Sequence, residues 1–288
     1  DAKIENLYTP EAYQYMKRLE FKSILARFDV QDMGGNSVEE HFWSVEDLSG
    51  AEQIFEKAKG AKQVGCQLIL AENQVAGLAI CIGEEEIYTI PAAGFLTGNY
   101  LCDHLEELIA KRDPALEPVA VLDLKSQLPY LNLDYGSAVV DMGVAGYLLN
   151  PLKDTYEYDD LARDYLGMTV PSKTDLLGKQ SLAKALEEEL PEAVTCGCYM
   201  AYVAYKAAGV LKERLEKEGM LKLYREMEMP LIYSLYHMEQ AGVRVDKEQL
   251  KLYGEQLEEK IVTLEQKIYE LAGEKFNINS PKQLGEIL

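Results

Sequence analysis

Two aspartates stand where an α/β sheet often presents its chemistry. Asp123 follows the apolar run Val119-Ala120-Val121-Leu122, and Asp141 follows Ala138-Val139-Val140. Sites in such sheets collect beyond the carboxyl ends of strands, and paired carboxylates there are oxygen donors for a hard divalent cation. The plainer reading makes Asp141 the cap of a helix starting at Met142, and Asp123 a cap or turn residue. The plainer reading is preferred.

A second candidate lies in Asn277-Ile278-Asn279-Ser280-Pro281-Lys282-Gln283. Ser280 can cap a helix, and Pro281 suits its first position, where a missing N–H costs nothing. Gln283, three residues on, can reach back to the cap. Free N–H groups at such a start, with Lys282, offer a phosphate site. Capping alone is the plainer reading. A helix this short is marginal by itself, so the chain is read as cut inside a larger architecture. It begins at Asp1 without a Met, and its natural start is expected upstream.

Other reactive residues carry less. Cys66, Cys81, Cys102, Cys196 and Cys198 are odd in number with apolar neighbours, which reads as reduced and intracellular. Cys196-Gly197-Cys198 has no second thiol pair or nearby histidine, so buried, inert thiols are expected rather than zinc. His41, His104 and His237 share no ligand spacing.

The net charge is −20 over 288 residues. Residues 223–288 hold 8 basic and 12 acidic side chains, a net of −4, which leaves −16 for residues 1–222. Phosphate neutralisation supplies much of nucleic-acid affinity, so the first part is not expected to grip a phosphate backbone over a broad surface. No run of about 18 apolar residues exists, and no membrane span is expected.

The elements that must position these residues follow from pattern. Residues 9–28 read as a helix capped by Thr9, and 29–41 as a linker around Gly34-Gly35-Asn36. Asp47–Lys59 is helical. The apolar runs 63–70, 75–83 and 87–92 read as a three-stranded antiparallel meander. A helix over 101–111 precedes a buried strand over 119–124, a helical turn at 128–131 and a strand over 137–140. The helix after Asp141 ends before Pro151. Short helices over 159–166 and 179–188 precede one long helix over 192–221. The expected fold is α/β or α+β, a mixed sheet with flanking helices. After 222 a helix over 229–240 is stopped by Gly242. Another follows Asp246, with apolar residues at 250, 253, 257, 261, 264, 268 and 271, and Gly273 closes it. Those steps make a coiled-coil-like seam, and the two helices read as an antiparallel pair.

The stretches MPLIYSLYHMEQAGVRVDKEQL and LEQKIYELAGEKFNINSPKQLGEIL resemble the start of the polymerase region in the bacterial DNA polymerase I family, polymerase family A. EAYQYMKRLEFKSILARF resembles the segment joining the family's 5′-nuclease to the rest, and DMGVAGYLLNP the segment after the second motif of its 3′→5′ exonuclease domain. The resemblance implies three parts: a linker helix over 1–40, a ribonuclease H-like exonuclease domain over 41–221, and the start of a helical thumb over 222–288. Palm and fingers would follow. It implies Mg²⁺ for the whole polymerase, a DNA primer-template and the rest of the polymerase chain as partners, and a cytoplasmic, nucleoid-associated setting. Asn277, Asn279, Ser280, Lys282 and Gln283 would then approach DNA backbone.

The family's exonuclease holds two metals with carboxylates. Its first-strand Asp-x-Glu falls near Leu68 and Leu70, its second Asp on Gln127, and its third-motif Tyr and Asp near Cys196 and Met200. None of these is acidic, so an exonuclease domain without catalysis and without its own cofactor is expected, with Asp123 and Asp141 as remnant candidates. The alternatives are an active exonuclease using Asp123, Asp134 and Asp141, and an acidic protein-interaction module.

Overall fold

The structure, a computed structural model, describes residues 37–288 and, before them, residues 9, 12, 15, 16, 21 and 24. The amino-terminal helix and most of the linker expected there lie outside the described residues. Thr9 Oγ1 does accept from Ala12 N at 3.2 Å, as a cap would.

Six strands form one mixed sheet: β1 Phe42–Ser44, β2 Gly65–Leu70, β3 Val75–Gly83, β4 Glu86–Pro91, β5 Val119–Val121 and β6 Val139–Asp141. Their order is β1-β4-β3-β2-β5-β6. The meander β2-β3-β4 is antiparallel, as its short apolar runs predicted. β5 joins β2 in parallel, β6 joins β5 in parallel, and β1 lies parallel to β4 at the edge. β1 had no sequence signal: it is three residues long, with Trp43 exposed, too short for alternation to register. β5 is shorter than the run 119–124 because Asp123 already caps a helical turn.

The helices in chain order are α1 Leu48–Gly60, α2 Gly98–Ala110, α3 Leu124–Gln127, α4 Met142–Leu149, α5 Tyr158–Leu161, α6 Lys173–Leu177, α7 Leu182–Glu187, α8 Pro191–Lys217, α9 Leu221–Leu223, α10 Met229–Ala241, α11 Lys247–Ala272 and α12 Pro281–Ile287. Asp47, Thr97, Asp141 and Asp246 cap α1, α2, α4 and α11 through their side-chain oxygens, filling orphan N–H groups. Two π-type turns interrupt the pattern, Ala162–Leu166 and Tyr224–Glu228.

α8 lies across β1 to β5. Its buried small residues Ala193, Gly197, Ala201, Ala204 and Ala208 recur every three or four positions and form one narrow face. That face lets the helix approach the sheet closely. A Cβ on Gly197 would stand 2.5 Å from Thr89 Oγ1, and one on Gly65 would stand 2.3 Å from Ala201 O and Tyr205 N.

By packing, the chain divides into two compact units, Asp1–His237 and Met238–Leu288. The change of texture near 222 precedes that division, because Tyr224, Met229, Ile232 and Tyr233 bury themselves in the first unit. In the second unit Gly242 and Gly273 take positive φ (71° and 76°) where helices stop. The seam residues Leu250, Tyr253, Leu257, Ile261, Leu264, Ile268 and Leu271 of α11 are all exposed.

Candidate functional site

The sheet fixes which residues could share a site. Thr89 Oγ1 donates to Val194 O of α8 at 3.1 Å. Ala79 pairs with both Thr89 and Gln67, so Gln67 shares the face that α8 covers. Side chains alternate along a strand. Gly65, Gln67 and Ile69 therefore point towards α8, and Leu68 points to the opposite face. The positions that face α8 are Gln67 and Ile69, one residue away from Leu68 and Leu70.

Gln127 comes to the same place from α3. Its Oε1 accepts from Leu68 N at 2.9 Å. Its Nε2 donates to Gln67 Oε1 at 3.1 Å and to Asp123 O at 2.7 Å. Gln67 Oε1 also accepts from Leu122 N at 3.1 Å. Both amides are buried, Gln127 at 0% and Gln67 at 5% exposure. β2 and α3 thus meet through two neutral amides whose hydrogen bonds go to each other and to main chain.

Asp141 is the buried acid of the region, 3% exposed. Its Oδ2 accepts from Leu124 N at 2.7 Å and its Oδ1 from Val144 N at 3.0 Å. Burial pushes its carboxyl up to about 7, against the main-chain hydrogen bonds from Leu124, Val144 and Gly143 that favour the charged form; neighbouring Asp123 adds to the rise. Asp123 itself is exposed and accepts from Ser126 N at 3.2 Å. Asp134 is held in its own turn by Gly136 N at 2.9 Å and Ser137 Oγ at 3.3 Å. It lines a cavity of about 770 Å³ with Arg112, Lys212 and Arg225. Asp134 serves its own turn, Asp123 caps α3, and Asp141 caps α4 while also holding the first N–H of α3.

In α8, Cys196 is buried against the Tyr158 hydroxyl at 3.9 Å and Met200 is half-buried. Neither is a hard oxygen donor. Mg²⁺ takes oxygen ligands, chiefly carboxylates and water. The set Gln67, Ile69, Gln127 and Met200 does not fit it. Among the described residues no group of three or more His, Cys, Asp or Glu is arranged to hold a metal ion. All five cysteines are free and buried, and burial raises each thiol, Cys66 and Cys198 to about 12.

At the carboxyl end, Ser280 Oγ accepts from Gln283 N at 3.4 Å and caps α12. The Gln283 side chain does not return to the cap. Its Oε1 accepts from Asn277 N at 2.8 Å, and Asn277 Oδ1 accepts from Asn279 N at 3.1 Å. The side chains of Asn277, Ser280 and Gln283 close a local ring of capping bonds, and Lys282 is exposed beside it.

Sequence reasoning missed Gln67 and Tyr224. Tyr224 donates its hydroxyl to Asp141 O at 2.7 Å. A lone polar residue in the apolar run Gly65–Leu70 was the available signal for Gln67; nothing in the local sequence pointed to Tyr224.

A six-stranded mixed sheet with helices packed against it, followed by further helices, defines an α/β domain joined to a helical segment. No protein-family model matches the chain. It is 28% identical to DNA polymerase I of Caldicellulosiruptor bescii over 298 aligned residues, covering 100% of this chain and 31% of that protein. It is 35% identical to DNA polymerase I of Bacillus subtilis over 223 residues, 75% of this chain and 24% of that protein. Among solved structures, the Pol1 POL domain of M. smegmatis in complex with DNA primer-template and dNTP shares the fold, with a TM-score of 0.60 at 22% identity, over 85% of this chain and 40% of that one. These likenesses identify the chain as a DNA polymerase I-like segment, spanning less than a third of the length of the two curated relatives.

Proposed function

We propose that this chain is the part of a DNA-directed DNA polymerase in which a degenerate, non-catalytic 3′→5′ exonuclease-like domain leads into the start of the polymerase region. Residues 1–40 are the linker from a 5′-nuclease region, 41–221 the exonuclease-like domain, and 222–288 the first thumb helices. The domain serves as a scaffold beside the polymerase. The intact protein acts on a DNA primer-template with Mg²⁺, in the bacterial cytoplasm at the nucleoid, and the remaining polymerase chain is its partner. Asn277, Asn279, Ser280, Lys282 and Gln283 approach the DNA backbone there.

One observation carries the inactive reading: Gln127, at the second-motif position, is fully buried and spends its amide on Gln67, Leu68 N and Asp123 O. A hydrolytic metal site needs anionic oxygens converging on one point, and these neutral amides converge on one another. Asp134 is engaged in its own turn, and Asp123 and Asp141 spend side-chain oxygens on main-chain N–H groups at the starts of α3 and α4, which speaks against an alternative acid set.

The test is an exonuclease assay on a 3′-labelled single strand, in Mg²⁺ and then Mn²⁺, beside a proofreading control. No shortening is expected. Metal-dependent shortening that disappears in Asp123→Ala or Asp141→Ala would overturn the reading.

A further inference from the structure

β2 and β5 are parallel neighbours where the path of the chain through the sheet reverses. β2 leads to β3 and β4 on one side, and β5 leads to β6 on the other. A crevice beyond the carboxyl ends of such strands is the usual ligand position of an α/β sheet. Here the main-chain pairing of β2 with β5 is brief, registered at Gly65 and Ala120.

Beyond that point the strands are joined by side chains. Gln67 Oε1 takes the Leu122 N–H that a neighbouring carbonyl would otherwise take, and Gln127 Oε1 takes the Leu68 N–H. The Gln127 amide nitrogen closes the set onto Gln67 and Asp123 O. A buried N–H without an acceptor is costly, so each amide answers a need of the diverging main chain.

We propose that Gln67 and Gln127 form a plug: they fill the crevice at the sheet's reversal point and continue its hydrogen-bond ladder with side-chain amides. The plug deepens the scaffold reading, since a crevice closed in this way has no room for a ligand of its own. It also assigns the pocket a chemistry when one amide is removed. Gln127→Ala leaves the Leu68 N–H, the Asp123 carbonyl and the Gln67 amide facing a small polar hole. The complementary ligand is a primary amide, which brings one acceptor and two donors.

The test is thermal unfolding of the 288-residue chain and its Gln127→Ala variant, with and without acetamide at molar concentration. N,N-dimethylacetamide, which has the acceptor but no N–H, is the control. The melting temperature of the variant is expected to fall on the order of 10 °C. Acetamide should recover part of that fall in the variant and none in the parent chain, and dimethylacetamide should recover less. A variant that melts with the parent, or equal recovery by both additives, overturns the plug.

If Gln127→Ala does not fold, native-state hydrogen exchange on the unaltered chain decides. Leu68 and Leu122 N–H should exchange as slowly as Ala79 N–H in the core of the sheet. Fast local exchange at either position overturns the proposal. Exonuclease activity would overturn the scaffold reading and leave the plug standing, and a failed rescue would do the reverse.

Discussion

The hydroxyl of Tyr224 donates to the main-chain carbonyl of Asp141 at 2.7 Å, and both residues are buried. A residue from the turn after α9 thus holds the end of β6, the outermost strand on its side. The same strand end feeds α4, whose Gly146 carbonyl accepts from the Tyr165 hydroxyl at 3.2 Å. Two tyrosines from two π-type turns hold one short helix. Tyr224→Phe leaves the ring packing and removes one buried hydrogen bond. A loss of about 1–2 kcal/mol is expected, read as a lower urea midpoint with an unchanged slope.

Asp141 makes stability fall as pH rises. Its folded value of about 7 lies above its ordinary 3.8, because burial favours the neutral acid. The folded chain therefore holds a proton that the unfolded chain has lost. The contribution is fully present below about pH 4 and is lost as pH climbs towards 7. Asp141→Asn cannot titrate, so its stability relative to the parent should rise over that window by a few kcal/mol. Urea unfolding at pH 4, 5, 6 and 7 on both proteins measures the difference; parallel curves would refute it.

Asp160 carries the opposite sign. It is 6% exposed and takes hydrogen bonds from Thr155 Oγ1 at 2.6 Å and Arg163 Nη2 at 2.7 Å, with Lys153 Nζ at 3.2 Å. Burial pushes its carboxyl up, but the hydrogen bonds from Thr155, Arg163 and Lys153 outweigh it and hold the group below its ordinary value. Its contribution is present above pH 4 and lost as pH falls through the lowered value. Asp160→Ala leaves Lys153 and Arg163 to Asp164 alone and removes the buried acceptor of Thr155, and a loss of about 1–2 kcal/mol at neutral pH is expected. Circular-dichroism melts at pH 7 and pH 3 should show the gap narrowing in acid.

Two glycines separate close packing from open helix surface. Gly65→Ala sets a Cβ 2.3 Å from the main chain of Ala201 and Tyr205, atoms that cannot rotate away. It should cost about 3 kcal/mol or prevent folding. Gly209→Ala, in the same helix contact partner α8, meets nothing within 4 Å and lies on an exposed turn. It should stabilise by about 0.5–1 kcal/mol, since alanine loses less backbone entropy in a helix. Calorimetry of both variants checks the contrast, and a stabilising Gly65→Ala would contradict the close approach of α8.

Much of the fold was legible because local chemistry is read over three or four residues. Asp47, Asp141, Asp246 and Ser280 announced helix starts, and Gly242 and Gly273 announced stops, where the structure has them. The apolar runs around Gly65–Leu70 and Val75–Gly83 announced strands, and the empty carboxylate positions were visible as plain residue identities. Which residues of that strand face α8, Gln67 and Ile69 rather than Leu68 and Leu70, could not be read from a run that is buried on both faces.

By itself, then, the sequence determined the helix starts at Asp47, Asp141, Asp246 and Ser280, the antiparallel meander, the acidic balance and the absence of acids at the expected positions. Each depends on a residue and its near neighbours along the chain. Only the tertiary structure decided that β1 joins at the edge, that α8 lies on the sheet through its small residues, and that Gln67 meets Gln127. The partners in those contacts are separated by 60 positions for Gln67 and Gln127 and 83 for Asp141 and Tyr224. Such pairs exist only once the sheet has closed and buried them, because only burial makes an unanswered N–H or carbonyl costly enough to select its partner.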